Sequence, residues 1–102
     1  MAIPTSEQLL SSYIEALLNP QVVRRALYMV LAERELQEET WGEQNHDFGE
    51  WLKILIEEVG EASQASLQTR YGGPKAGTVR AELVQVAAVA LAMLECALRK
   101  NW

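Results

Sequence analysis

The stretch Ala81-Glu82-Leu83-Val84-Gln85-Val86-Ala87-Ala88-Val89-Ala90-Leu91-Ala92-Met93-Leu94 is apolar at every position except Glu82 and Gln85. It shows no strand-like alternation, and a helix that is apolar on all sides is buried on all sides. Four helices of the length read here can hardly enclose it alone, so a partner subunit is expected against it. The alanines at 87, 88, 90 and 92 allow that neighbour to come close. The most strongly apolar part, Val86 to Leu94, falls short of the ~20 residues that span a bilayer. Glu82 and Gln85 are three apart and share one helical face, where buried polar groups need partners or an ion. A helix-dipole role for Glu82, one turn after Thr78, explains that residue but leaves Gln85 without a reason.

Working outward, three more helical segments precede this one and no alternating strand pattern is present. The first is expected from about Ser6 to Leu18, with Leu9, Leu10, Tyr13, Ile14, Leu17 and Leu18 as an apolar stripe. Asn19 as N-cap and Pro20 at the first helical position start the second, which continues to about Thr40. Trp41-Gly42-Glu43-Gln44-Asn45-His46 is a polar connection. Asp47 and Glu50 have capping-box spacing and start the third helix at Phe48, which runs to about Arg70 and stops at Tyr71-Gly72-Gly73-Pro74. Thr78 is the expected N-cap of the fourth, which reaches about Arg99. The expected fold is all-α, an antiparallel four-helix bundle completed by oligomerisation. Residues 1–20 form an N-terminal helical extension, packing through Leu10, Ile14 and Leu17, and residues 21–102 form the main domain.

With 102 residues, 49% hydrophobic and 23% charged, the chain has the size and composition of one soluble globular domain. A net charge of −5 argues against nucleic acid as the main partner, because binding its backbone needs a basic surface. One cysteine, Cys96, excludes an internal disulfide framework and sits in an apolar run, where it reads as a buried structural thiol. Met1-Ala2-Ile3-Pro4-Thr5 lacks the pattern of a signal peptide. A cytoplasmic protein with no membrane attachment is expected.

The acid is concentrated. Between residues 33 and 61 the only basic residues are Arg34 and Lys53. Charge alone reads such a cluster first as a solvated helix face. Within it, Glu57-Glu58-Val59-Gly60-Glu61 is more specific. Glu58 and Glu61 lie about 60° apart on a helix, on a stripe with Ile54 and Ala65, between apolar neighbours. Glu57 lies on the polar stripe with Lys53, Gly60, Gln64 and Gln68. Carboxylates at that spacing repel, and a divalent cation reverses the sign of the cost. Should Glu82 converge from the neighbouring helix, the three carboxylates make a magnesium site.

Glu57-Glu58-x-x-Glu61 followed by Glu82-x-x-Gln85 resembles the EExxE…ExxD signature of the MazG-like all-α nucleotide pyrophosphohydrolases. The similarity covers roughly residues 33 to 98, through Trp41-Gly42-Glu43-Gln44-x-His46, Trp51-Leu52-x-x-Leu55 and the apolar run after Glu82. It implies a helical bundle assembling as a homodimer or homotetramer. It also implies Mg²⁺-dependent hydrolysis of nucleoside triphosphates, with Mn²⁺ able to substitute, to the monophosphate and pyrophosphate, removing aberrant or excess (deoxy)nucleotides. On the same ground Glu58, Glu61 and Glu82 match metal ligands, and Glu57 matches a residue that orients the attacking water or reaches a further ion. Gln85 departs from the pattern: its amide oxygen can ligate a hard cation but brings no charge, which implies weaker metal binding.

Trp41, Gln44, His46 and Trp51 are candidates for the nucleobase pocket, and Lys53, Lys75 and Arg80 for contacts to substrate, the last two to phosphate oxygens. Each has a blander reading, as core aromatic, solvated loop residue or surface charge. Alternatives for the whole are a catalytically silent helical interaction module, which Gln85 favours, or a dUTPase-like or phosphoribosyl-ATP-hydrolysing relative.

Overall fold

In the computed structural model, which describes residues 2–102, the chain is all-helical and, among the described residues, contains no strand. Its four helices are α1 (Ser6–Glu15), α2 (Pro20–Trp41), α3 (Phe48–Tyr71) and α4 (Val79–Lys100). Their starts follow local chemistry. Thr5 accepts a bond from the Gln8 backbone while the Gln8 side chain returns one to the Thr5 N–H, a complete capping box at α1. Asn19 caps α2, with Pro20 at the first position. Asp47 Oδ1 accepts from Glu50 N at 2.8 Å to open α3.

Three local expectations are corrected. α1 stops at Glu15 rather than Leu18, because the chain tightens into a turn, with Leu17 N donating to Ile14 O, before Asn19 takes a non-helical conformation (φ −140°, ψ 85°), the helical one being disfavoured before a proline. Of its apolar stripe only Ile14 is buried; Leu10 and Leu17 remain exposed. Thr78 occupies the N-cap position of α4 but does not cap it, since its hydroxyl donates back to Lys75 O at 2.7 Å.

The helices do not form an antiparallel ring. α4 lies in the middle of a layer, packed on α3 along one side and on α2 along the other, while α2 and α3 do not pack on each other and α1 touches only α2. α3 and α4 are antiparallel: Trp51 near the start of α3 meets Val89, Ala92 and Cys96 toward the end of α4, and Glu61 meets Glu82. α2 and α4 run parallel, for Val22 to Val30 flank Arg80 to Ala87 and Arg34 bonds Glu95. The connection between α2 and α3 crosses over α4, and this keeps the outer helices apart. His46 O and Asn45 Oδ1 lie 3.6 and 3.8 Å from Cys96 Sγ, and Arg99 donates to Gln44 O and Asn45 Oδ1.

The layer measures 58 × 35 × 22 Å with a radius of gyration of 16.3 Å, against about 13 Å for a compact chain of this length. Its core is correspondingly thin, with Trp51, Ala65, Ala88, Val89, Ala92 and Cys96 buried at the α3–α4 seam and beneath α2. Leu83, Ala90 and Leu94 share the opposite face of α4 from Gln85 and Ala92, and that face is exposed. An 18-residue window within α4 has mean hydropathy 1.8, so by length and composition alone this helix is apolar enough to cross a membrane.

Candidate metal centre and adjoining cleft

Glu58 and Glu61 project from successive turns of α3, and Glu82 from the first turn of α4 faces them. One carboxylate oxygen of each lies within 4.8 Å of the others. Glu58 and Glu82 are half-buried and Glu61 is exposed. Removal from water raises the Glu58 carboxyl above its ordinary pKa of 4.5, and the charges of Glu61, Glu82 and Glu57 push it further up, with Lys75 opposing. Acidic side chains commonly cluster in this way without an ion. Oxygen ligands about 2.1 Å from Mg²⁺ would have to lie about 3.0 Å apart when adjacent and about 4.2 Å when opposite.

Lys75 is held beside these carboxylates by the connection between α3 and α4. Its backbone N–H donates to Gln68 Oε1 at 2.5 Å, and Gly77 N donates to Thr69 Oγ1 at 3.0 Å. Gly73 is required for this arrangement: its φ is 146°, and a Cβ there would come within 2.7 Å of the Gln68 side chain that holds Lys75. The Lys75 ammonium then lies 3.8 Å from Glu61 Oε2 and 3.7 Å from Glu82 Oε1. The sequence suggests Lys75 as a phosphate contact; the structure places it on two of the candidate ligands.

A cleft of about 200 Å³ opens next to the carboxylates, between α2 and α3 and floored by α4. Glu58 and Gln85 border it at the carboxylate end; Trp41, Gln44 and Trp51 also line it, with Gln37 from α2. Trp51 is 2% exposed and packs edge-on against His46, ring centres 4.9 Å apart. Its Nε1–H is buried without a hydrogen-bond partner, a condition that costs about 1–3 kcal/mol.

The other residues singled out in the sequence lie elsewhere. His46 supports Trp51 and does not line the cleft. Lys53 is exposed and pairs with Glu50 at 3.6 Å. Arg80 borders a separate apolar groove between α2 and α4. Glu57 is exposed at the edge of the carboxylate set.

Sequence reading missed the residues that build the α2 wall. Arg34, 8% exposed, donates from Nε to Glu95 Oε2 at 2.5 Å and also bonds Glu38. The hydrogen bond to Glu95 raises its pKa further, so it stays charged. A signal was available: Arg34 is the lone base of an acidic run, and Glu95 directly follows the apolar stretch of α4. Gln37, 9% exposed, carried none beyond being uncharged among glutamates. Comparison with known protein families, curated proteins and solved structures gives no match, so the likeness to the MazG-like enzymes rests on the residues quoted from the sequence.

Proposed function

We propose that the chain is a Mg²⁺-dependent nucleoside triphosphate pyrophosphohydrolase, acting as a homo-oligomer in the cytoplasm and releasing pyrophosphate and a nucleoside monophosphate. The observation that carries this reading is the convergence of Glu58, Glu61 and Glu82 from two helices at the end of a cleft walled by Trp41 and Trp51. Repelling carboxylates beside a half-closed, aromatic-lined space are what metal-assisted attack on a polyphosphate needs. When bound, the metal supplies charge neutralisation and a more acidic water. Glu58, Glu61 and Glu82 would hold it, Gln85 would offer a neutral oxygen at the cleft end, and Glu57 would orient the attacking water or reach a further ion at the solvent edge. With Glu61 and Glu82 so engaged, the Lys75 ammonium is free to meet phosphate oxygens.

A second reading has its own support. Lys75 already offsets Glu61 and Glu82 without any ion, and Gln85 brings no charge, as suits a catalytically silent interaction module. Pyrophosphate release from a panel of ribo- and deoxyribonucleoside triphosphates with Mg²⁺ or Mn²⁺ separates the two. Release above buffer for at least one nucleotide is expected; none at any metal concentration leaves the module.

A further inference from the structure

We propose that the apolar groove between α2 and α4 receives helix α1 of a second copy of this chain, so that two protomers exchange their N-terminal helices. The inference rests on the homo-oligomeric part of the reading above and says which surfaces meet.

Helix α1 has too little of its own chain to lie on. It has ten residues, and isolated helices below about 12–15 residues are marginal in water. Yet it begins on a complete capping box and carries an apolar side, with Leu9, Leu10 and Tyr13 within about 100° of one another around the helix. All three are exposed, as is Leu17 in the turn that follows, and only Ile14 is buried. The helix touches α2 alone, so this apolar side is left uncovered.

The groove offers what that side lacks. Val22, Ala26 and Met29 of α2 face Leu83, Val84 and Ala87 of α4 across it, and Val22 and Leu83 are more than half exposed. From Val22 to Val30 the α2 wall is about 12 Å long, against about 15 Å for α1. Charge fits as well. Arg25 and Arg80 border the groove, both exposed, and among the described residues neither forms an ion pair. They stand near the starts of two parallel helices, where the helix dipoles add positive charge. Residues 2–18 carry Glu7 and Glu15 and no Lys or Arg. Glu15 is held by Arg24 at 2.5 Å, which leaves Glu7, in the first turn of α1, for the arginine end of the groove. That sets the direction: α1 lies parallel to the α2 and α4 that receive it.

A chain cannot fill its own groove while these contacts stand. Arg24 is on the opposite side of α2 from Val22, Ala26 and Met29. The Glu15–Arg24 pair holds α1 on that side, and residues 16–19 alone join the two helices. A second copy needs no such break, because the apolar side of α1 is already free. Leu83 also belongs to the exposed face of α4 that carries Ala90 and Leu94, so groove and face make one continuous surface for a partner.

The test uses the full-length chain. Tyr13→Cys and Leu83→Cys are made separately, one of them ¹⁵N-labelled, mixed, and treated with a short bis-maleimide. Cys96 is fully buried, and the parent treated in the same way checks that it stays unreactive. Mass spectrometry should find a covalent dimer of one chain of each kind, linked between positions 13 and 83. Charge provides the second arm. Arg25→Glu with Arg80→Glu should raise the dissociation constant of the assembly at least about tenfold by sedimentation, with helical content unchanged, and adding Glu7→Arg should restore much of the loss. An oligomeric parent that yields no link between these positions, or whose association ignores the arginine reversals, overturns the exchange and leaves the homo-oligomer with another interface. An internally linked monomer from the double variant Tyr13→Cys/Leu83→Cys also overturns it, since each chain then fills its own groove. A parent that sediments as a monomer overturns both the exchange and the homo-oligomeric reading.

Discussion

Arg34 on α2 and Glu95 on α4 form a two-pronged ion pair, Nε to Oε2 at 2.5 Å and Nη2 to Oε1 at 3.0 Å, across the parallel contact that sets one wall of the cleft. The guanidinium is buried and Glu95 is partly exposed. Removing the carboxylate leaves a desolvated cation with Glu38 as its remaining carboxylate partner, whereas the carboxylate itself can rehydrate. Glu95→Gln should therefore destabilise the protein by about 1–3 kcal/mol, read from the urea midpoint, and should lower affinity for any cleft ligand by loosening α2. An unchanged midpoint would place the pair among surface ion pairs that contribute nothing measurable.

The metal reading makes a graded prediction because Lys75 is unevenly shared. Glu58→Gln, Glu61→Gln and Glu82→Gln should each greatly reduce Mg²⁺-dependent pyrophosphate release. In the absence of metal they should differ. Glu58→Gln relieves repulsion and should leave Tm unchanged or raised, whereas Glu61→Gln and Glu82→Gln also lose a contact to Lys75 and should gain less. A folded-state ligand at a hundred times its Kd stabilises by about 2.7 kcal/mol, so Mg²⁺ should raise the parent Tm and each variant should shrink that rise. If all three keep the parent's increment, the carboxylates do not hold the ion.

How far the chain could be read in advance depended on whether the cause was local. Asn19-Pro20, Asp47 and Gly72 act within a few residues of themselves, and α2 and α3 begin and end close to where those signals stand. The i to i+3 spacing put Glu58 and Glu61 on one face of α3, whereas the arrival of Glu82 beside them was only a condition in the sequence, met by the antiparallel packing of α3 and α4. The cleft was not. Helical periodicity shows which face of α2 and α3 is apolar, but nothing local says that α4 lies between them, so Gln37 read as one more polar residue of an acidic helix. Thr78 failed for a related reason: its hydroxyl turns to Lys75 O because the connection folds back on α3.

Glu58 also dictates a pH dependence. Its folded-state pKa is raised, first by desolvation and then by the neighbouring carboxylates, so the folded chain binds its proton more tightly than the unfolded chain does. The stability this contributes is fully present below the ordinary glutamate value of 4.5 and is lost as pH rises through the raised value. Without metal, Glu58→Gln should remove that component, and the difference in unfolding free energy between variant and parent should grow as pH rises across this window. With metal the sign reverses, because the ligand must be ionised: Mg²⁺ affinity, measured by titration calorimetry, should fall as pH is lowered through the same window. A variant-minus-parent difference that is flat with pH would show that Glu58 titrates normally.

The exposed back of α4 yields the last prediction, since it separates a subunit interface from an ordinary surface. Val89 is 6% exposed within the single chain, so Val89→Glu should unfold or severely destabilise the monomer whatever its assembly. Ala90, the next residue, points away from α2 and α3 and is exposed with Leu83 and Leu94. Covering such leucines gains about 1.5–3 kcal/mol for each side chain fully removed from water, and the alanine leaves room for a close partner helix. Ala90→Glu should therefore leave the helical content and the packing around Trp51 intact while converting a dimer or tetramer to monomer, as measured by light scattering at micromolar concentration. Tm should rise with protein concentration in the parent and be independent of it in the variant, because only the assembled state is stabilised by mass action. A parent that scatters as a monomer, or a variant whose mass equals an oligomeric parent's, would remove this face of α4 from the interface.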